Sequence, residues 1–375
     1  MKQTRRKILF ISGTRADFGK LKPLMLKLKS DPGFEVQVFT TGMHMLSRYG
    51  STWQEVASVM SGSLHPFLNQ GPKDSMDQVL AKTISGISDY VRERSPDLIV
   101  VHGDRVEALA GAIVGSLNNT LVAHIEGGEL SGTVDELLRH AISKLSQIHF
   151  VANATAANRL LRMGETPNSV HTIGSPDIDI LKSPDLPKTE EAKAHYGIGF
   201  EEYNIVILHP VTTELDKIEV QASSLIQFMV QSRENFIVIE SNNDAGSEVI
   251  FSLYAKTPET SRIRFFPSMR FEYFLALLKG AKSIIGNSSA GVREAPYFGV
   301  PVVNLGSRQL NRALSPLIVN SEFSPSSIET AFQVAVGLPR TPSGEFGEGG
   351  SAEKFVAVLH SEEFWSTGVQ KQFLD

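Results

Sequence analysis

The residues of this chain most able to do chemistry stand where apolar runs end. Asp104 lies in His102-Gly103-Asp104-Arg105, directly after a continuous apolar run. Glu126 lies in His124-Ile125-Glu126-Gly127-Gly128-Glu129, and Ser131-Gly132-Thr133-Val134-Asp135-Glu136 follows, then Arg139-His140. A carboxylate between an apolar strand and two glycines is costly to bury without a partner or a task. Several acids held close together can have their pKa values pushed apart, which proton transfer at carbon and oxygen requires. Simple capping is the competing explanation: Asp104 can cap the next helix, and Thr133 with Glu136 can form a capping box. The composition of the block favours acid–base work for Asp104, Glu126 and Asp135.

Three further motifs offer binding chemistry. Ser12-Gly13-Thr14-Arg15-Ala16-Asp17-Phe18-Gly19 follows the first apolar run. Its glycines allow close backbone approach to a ligand, and Arg15 can pair with a phosphate. The spacing matches neither a dinucleotide fingerprint nor a P-loop, so an ordinary strand-to-helix turn remains open. His209-Pro210 ends another apolar run, and the proline holds the histidine at the strand tip. Gly286-Asn287-Ser288-Ser289-Ala290-Gly291-Val292-Arg293-Glu294 predicts a strand end, a small-residue turn and a helix start, suited to pyrophosphate, with Glu294 placed for ribose hydroxyls. A serine-hydrolase elbow is excluded, because Ala290 stands where G-x-S-x-G needs its second glycine.

These motifs need elements to hold them. Short β-branched runs at 7–12, 35–40, 97–103, 120–127, 148–153 and 169–175 alternate with helical patterns such as 76–94, 105–117 and 134–146. The runs are apolar almost throughout, as strands covered on both faces are. The pattern predicts an α/β, doubly wound parallel sheet. Residues 182–203, with two prolines, a charged patch and two glycines, predict a domain boundary. A second series follows at 204–210, 236–241, 262–268, 283–289 and 301–306, then a Gly-rich loop at 340–351 and a last helix over 352–360. Two such domains predict a clamshell with the polar motifs at strand ends facing its cleft.

Bulk properties are those of an ordinary globular protein. At about 150 residues per domain, 375 residues suit two domains. A net charge of -5 implies no long-range attraction to nucleic acid or anionic membrane. The chain has no cysteine, which excludes disulfides, thiolate metal sites and cysteine nucleophiles. The apolar run 8–11 behind Arg5, Arg6 and Lys7 is too short for a signal-peptide core, so the cytoplasm is the expected compartment. No residue pattern demands a metal or a redox cofactor.

Taken together, GTRADFGKLKPL (13–24), HGDRVEALAGA (102–112), HIEGGELSGTVDELLRHAISKLS (124–146), GSPDIDIL (174–181), HPVTTE (209–214), PSMRFEYF (267–274) and GNSSAGVREAP (286–296) resemble the UDP-N-acetylglucosamine 2-epimerases. The likeness is strongest to the hydrolysing branch of bacterial sialic acid pathways, and it runs along essentially the whole chain. It implies the GT-B fold, two Rossmann-like domains with the active site in the cleft between them. Residues 1–182 would carry the carboxylates, 183–351 would bind UDP, and 352–375 would cross back to the first domain. It implies anti elimination of UDP to 2-acetamidoglucal, then hydration to free N-acetylmannosamine. Asp104, Glu126 and Asp135 match the catalytic carboxylates, with Asp135 ranked first as the C2 base, then Glu126, then Asp104. His209 matches a conserved active-site histidine. Arg15, Ser288, Ser289 and Arg308 match phosphate contacts, Glu294 the ribose contact, and Gly19, Arg105 and Asn242 further substrate contacts. Phe266 and Arg270 match the uracil region. Ser241 departs from the family's proline before Asn242. A homodimer or homotetramer is also implied.

The same chemistry on UDP-diacetylbacillosamine or a GDP-linked sugar, and a non-hydrolysing epimerase that keeps UDP attached, are the nearest alternatives. A glycosyltransferase would need an acceptor, and a nucleotide-sugar sensor would bind without turnover.

Overall fold

The first apolar run forms β1 (Arg6–Ser12), buried on both faces over its last five residues. Its side chains alternate between two cores, as the two-residue period of a strand dictates. Ile8 and Phe10 enter one core with the helices Arg15–Lys29 and Ser351–Leu359, while Leu9 and Ile11 enter another with the helices Met76–Arg94 and Val106–Leu117. The computed structural model describes residues 5–71, 74–131, 133–258, 261–310, 312–313 and 315–374.

The remaining strands are β2 (Phe34–Thr40), β3 (Leu64–Pro66), β4 (Leu98–His102), β5 (Leu121–Ile125), β6 (Ile148–Val151) and β7 (Val170–Thr172), then β8 (Asn204–Ile207), β9 (Phe236–Ile239), β10 (Ile263–Phe266), β11 (Ser283–Gly286), β12 (Val302–Leu305) and β13 (Ile318–Ser321). They form two wholly parallel sheets, ordered β3-β2-β1-β4-β5-β6-β7 and β10-β9-β8-β11-β12-β13. The strand order reverses between β1 and β4 in the first sheet and between β8 and β11 in the second. At such switch points the connections leave to opposite faces and open a crevice at the carboxyl ends.

The chain divides into two units. One comprises Met1–Glu129, Asp135–Lys182 and Phe346–Asp375; the other comprises Leu130–Val134 and Ser183–Glu345. Within the first, Phe355 of the helix Ser351–Leu359 is fully buried, with its ring 4.7 Å from Phe150 and 6.5 Å from Phe10. Burying a phenylalanine this completely contributes roughly 1.5–3 kcal/mol, enough to hold a nine-residue helix that would not form alone. By this division the second unit ends at Glu345, within the Gly-rich loop.

Three local expectations need correction. The linker expected at 182–203 contains the helix Thr189–Tyr196, stopped by left-handed Gly197. Strands β3 and β13 lie at sheet edges where the sequence pattern predicts none. The helix expected after β11 is a 3-10 turn, Ser289–Gly291, followed by only four α-helical residues, Glu294–Tyr297. No helix among the described residues is long and apolar enough to cross a membrane.

Candidate active site

In the first unit the polar residues gather at the β1–β4 switch point. Gly13 and Thr14 turn the chain after β1, and the Thr14 hydroxyl accepts the Asp17 N–H at 3.1 Å, capping the helix. The helix already begins at Arg15, so Gly19 lies buried inside it and not in a phosphate-cradling loop. Asp17 accepts the Gly13 N–H on Oδ2 at 3.0 Å and presents Oδ1 at 2.7 Å from His102 Nδ1. His102 is the last residue of β4. Its other ring nitrogen, Nε2, lies 3.2 Å from Glu126 Oε1.

Glu126 follows β5 with a left-handed backbone, φ 65°. A non-glycine residue tolerates this only where its surroundings over-determine it, and such strain gathers at functional sites. Here the surroundings do so. The Glu126 N–H donates to the Phe150 carbonyl at 3.1 Å, and its own carbonyl accepts from Arg139 Nη1 at 2.9 Å. Its Oε1 also meets Lys20 Nζ at 3.5 Å and Ser175 Oγ at 3.4 Å. Lys20 in turn lies 3.6 Å from Asp177 Oδ2. Burial would push the His102 imidazole down, but Glu126 and Asp17 outweigh it and raise its pKa to about 9. An imidazolium and an ammonium are therefore threaded between three nearly buried carboxylates.

Asp104 is held separately, in an ion pair with Arg139 Nη2. Arg139 is 1% exposed and comes from the helix Val134–Leu145. Asp135 stands in the first turn of that helix, half-buried and one turn before Arg139. One helix therefore positions two of the three expected carboxylates. Gly132, in the preceding block, lies outside the described residues.

The His102 contact sets a pH dependence. Its folded pKa of about 9 exceeds the unfolded 6.5, so its contribution is complete below pH 6.5 and is lost as pH rises through 9. Unfolding free energy should fall by roughly 3 kcal/mol across that window. Denaturant titrations from pH 6 to 9.5 should show this slope in the wild type and a flatter one in His102→Gln. Equal slopes would remove His102 as its source.

The second unit gathers its residues at the β8–β11 switch point. Asn287, fully buried after β11, clamps His209 after β8. Its Oδ1 accepts the His209 N–H at 2.7 Å, and its Nδ2 donates to the His209 carbonyl at 2.8 Å. His209 Nδ1 accepts the Asn242 N–H at 3.2 Å, which leaves the proton of a neutral ring on Nε2. Arg308 is nearly buried and donates from Nη1 to the Asn287 carbonyl at 3.2 Å. Ser288 accepts the Ala290 N–H on its hydroxyl at 3.3 Å, starting the 3-10 turn. Ser288 and Ser289 are half-buried, and Glu294 is buried in the short helix that follows. So short a helix carries little macrodipole, and the polar groups gathered here are individual amides, hydroxyls and Arg308.

Other expected contacts have further partners of their own. Arg15 Nε donates to Glu55 Oε2 at 2.9 Å, and Arg105 Nε to Glu107 Oε2 at 3.2 Å. Asn242 Nδ2 also pairs with Asp244. Phe266 ends β10, two strands from β8, edge-on to Tyr196. Arg270 is exposed there and its N–H donates to Tyr196 Oη at 2.9 Å. Lys20, Asp177, Arg139 and Asn287 belong to these two groups although sequence reasoning assigned them no role, whereas His102 reads from the sequence as a base beside Asp104 at a strand end. For Lys20 and Asp177 the available signal was their place in the blocks GTRADFGKLKPL and GSPDIDIL.

Two Rossmann-like parallel-sheet units, each with its polar residues at a switch point, define a GT-B-like α/β protein. The chain belongs to the UDP-N-acetylglucosamine 2-epimerase family, whose family model matches residues 26–360. It is 46% identical to a UDP-N-acetylglucosamine 2-epimerase of Neisseria meningitidis serogroup B, over 99% of each chain. It is 32% identical to a UDP-N,N'-diacetylbacillosamine 2-epimerase (hydrolyzing) of Legionella pneumophila, over 94% of this chain and 95% of that one. The fold is similar to that of a Methanocaldococcus jannaschii UDP-GlcNAc 2-epimerase solved with UDP-GlcNAc and UDP, with a TM-score of 0.79 at 22% identity, covering 94% of this chain and 99% of that one.

Proposed function

We propose that this protein is a hydrolysing 2-epimerase that converts UDP-N-acetylglucosamine and water to N-acetylmannosamine and UDP, supplying sialic acid synthesis. A carboxylate of the first unit removes the C2 proton as the C1–O bond breaks. The bonding pair leaves with UDP, and a C1–C2 double bond forms in 2-acetamidoglucal. Water then adds its oxygen to C1, and C2 takes a proton on the opposite face. The diphosphate end falls to the second unit: Ser288, Ser289 and Arg308 take its oxygens, Glu294 the ribose, and His209 Nε2–H donates to developing charge. Phe266 and Arg270 take the uracil, and Arg15, Arg105 and Asn242 complete the contacts. Among the carboxylates, Asp135 acts as the C2 base, while Glu126 and Asp104 serve the proton transfers around it.

The observation that carries this reading is the strained Glu126, bound on one oxygen by His102 and Lys20. Such a cluster has no evident structural purpose at the end of a buried strand, and it suits proton transfer. The likeness to a relative named as hydrolyzing supports release of UDP. The same likeness favours one second reading, the identical chemistry on UDP-N,N'-diacetylbacillosamine. Supplying each nucleotide sugar separately and measuring UDP release by chromatography separates the two. The proposal expects the higher kcat/KM on UDP-N-acetylglucosamine; a higher value on the diacetylated sugar overturns the substrate assignment.

A further inference from the structure

A buried charge cluster sits in the first unit away from the residues just described. Glu165 is 2% exposed and is approached by three nitrogen groups. His149 Nε2 lies 2.9 Å from its Oε2, Lys371 Nζ 2.6 Å from the same oxygen, and Lys144 Nζ 3.4 Å from its Oε1. Lys371 comes from the segment after the last helix, far along the chain from the others. Its ammonium also donates to the carbonyls of Ser143 at 2.8 Å and Ser146 at 2.6 Å. An ammonium has three N–H donors, and here all three have acceptors. The rest of the segment follows: Gln147 Nε2 donates to the Val369 carbonyl at 2.9 Å, and the Leu374 N–H donates to the Gly164 carbonyl at 3.0 Å.

Where Lys371 docks is the informative point. Ser143 and Ser146 lie at the carboxyl end of the helix Val134–Leu145, where unpaired carbonyls and the helix dipole favour a cation. The same helix carries Asp135 in its first turn and Arg139, the partner of Asp104, in its middle. Its Ser143 Oγ lies 3.0 Å from His124 Nδ1, and His124 Nε2 lies 2.8 Å from the Gly103 carbonyl. Burial holds His124 neutral, and a carbonyl can only accept, so Nε2 carries the proton and Ser143 donates to Nδ1. Gly103 is the residue before Asp104. One helix thus sets two carboxylates by two routes, and Lys371 pins its far end.

We propose that Lys371 is a positioning residue for turnover: by capping the helix Val134–Leu145 and pairing with Glu165, it seats Asp135 and Asp104 in their working places. This rests on the carboxylate assignment made above. A small displacement of reacting groups by a distant change costs up to about a hundredfold in rate. Lys371→Met keeps most of the side-chain length and removes the charge. Its consumption of UDP-N-acetylglucosamine should show a kcat lowered by about tenfold or more, with KM and UDP affinity unchanged, at a temperature where circular dichroism shows it folded. If Lys371→Met does not fold, Glu165→Gln should show the same split. A folded variant with wild-type kcat and only a lowered unfolding temperature would make the segment a structural strap and overturn the proposal. Asp104→Asn and Asp135→Asn test the carboxylate reading separately, so the two failures are distinguishable.

Discussion

Glu126→Gln should abolish most turnover while leaving UDP binding in place. The substitution keeps the shape of the side chain but removes the charge between His102 Nε2 and Lys20 Nζ. Both cations then lose a nearly buried counter-charge, and the amide can neither take nor give a proton. Loss of a positioned acid–base group costs about a hundredfold to ten-thousandfold in rate. The same range is expected for Asp104→Asn, which breaks the ion pair with Arg139. Apart from Arg15, the groups assigned to UDP lie in the second unit, so its dissociation constant, measured by calorimetry, should be near the wild-type value. Near-normal turnover in both variants would remove the carboxylates from the chemistry. Lost UDP binding would mean the variants had damaged more than the first unit.

Gly286→Ala should have the largest effect on stability. Gly286 ends β11 opposite Ile207 of β8, with φ 137°, a region essentially reserved for glycine. A Cβ there would lie 1.9 Å from the Ile207 carbonyl oxygen, which is β-sheet backbone and has no rotamer to change. That carbonyl also accepts the Asn287 N–H at 3.1 Å, so the two strands cannot separate without releasing Asn287 and, through it, His209. The strain and the lost bonds together should cost at least about 3 kcal/mol. Denaturant unfolding should show this loss, and UDP affinity should fall with it, or the variant should fail to accumulate as folded protein. A variant with wild-type stability and UDP affinity would show that β8 and β11 are not this close.

Much of the architecture was legible in the residues, for a physical reason. Strands buried on both faces must be apolar throughout, so β1, β4, β8 and β11, which border the switch points, stand out as runs, as does β5 beside them. The edge strands β3 and β13 lack that signature. β3 is half-buried to exposed and β13 half-buried to exposed, and neither forms an apolar run. The helix Thr189–Tyr196 was hidden by the prolines and charges around it, which read as a linker. Its stabilising contacts are tertiary: the Thr189 hydroxyl donates to the Ala276 carbonyl at 2.9 Å.

The site was legible in kind but not in wiring. Glu126 announced itself, because an acid followed by two glycines at a strand end is hard to explain otherwise. Its partners did not. A histidine at a strand end is more often structural, and only folding places His102 between Asp17 and Glu126. Lys20 and Arg139 lie on helices whose sequences would also suit solvent-facing cations. Their burial depends on which carboxylates the other strands deliver, and local pattern contains no information about that. Gly19 shows the opposite failure: a glycine that suits a ligand loop lies inside a helix.

The most direct test of the account is a proton NMR time course of wild-type protein with UDP-N-acetylglucosamine in deuterated water. The account predicts free N-acetylmannosamine appearing first as its α-anomer, deuterated at C2, with one equivalent of UDP released. A product that remains UDP-linked, or free sugar that keeps its C2 proton, would contradict it.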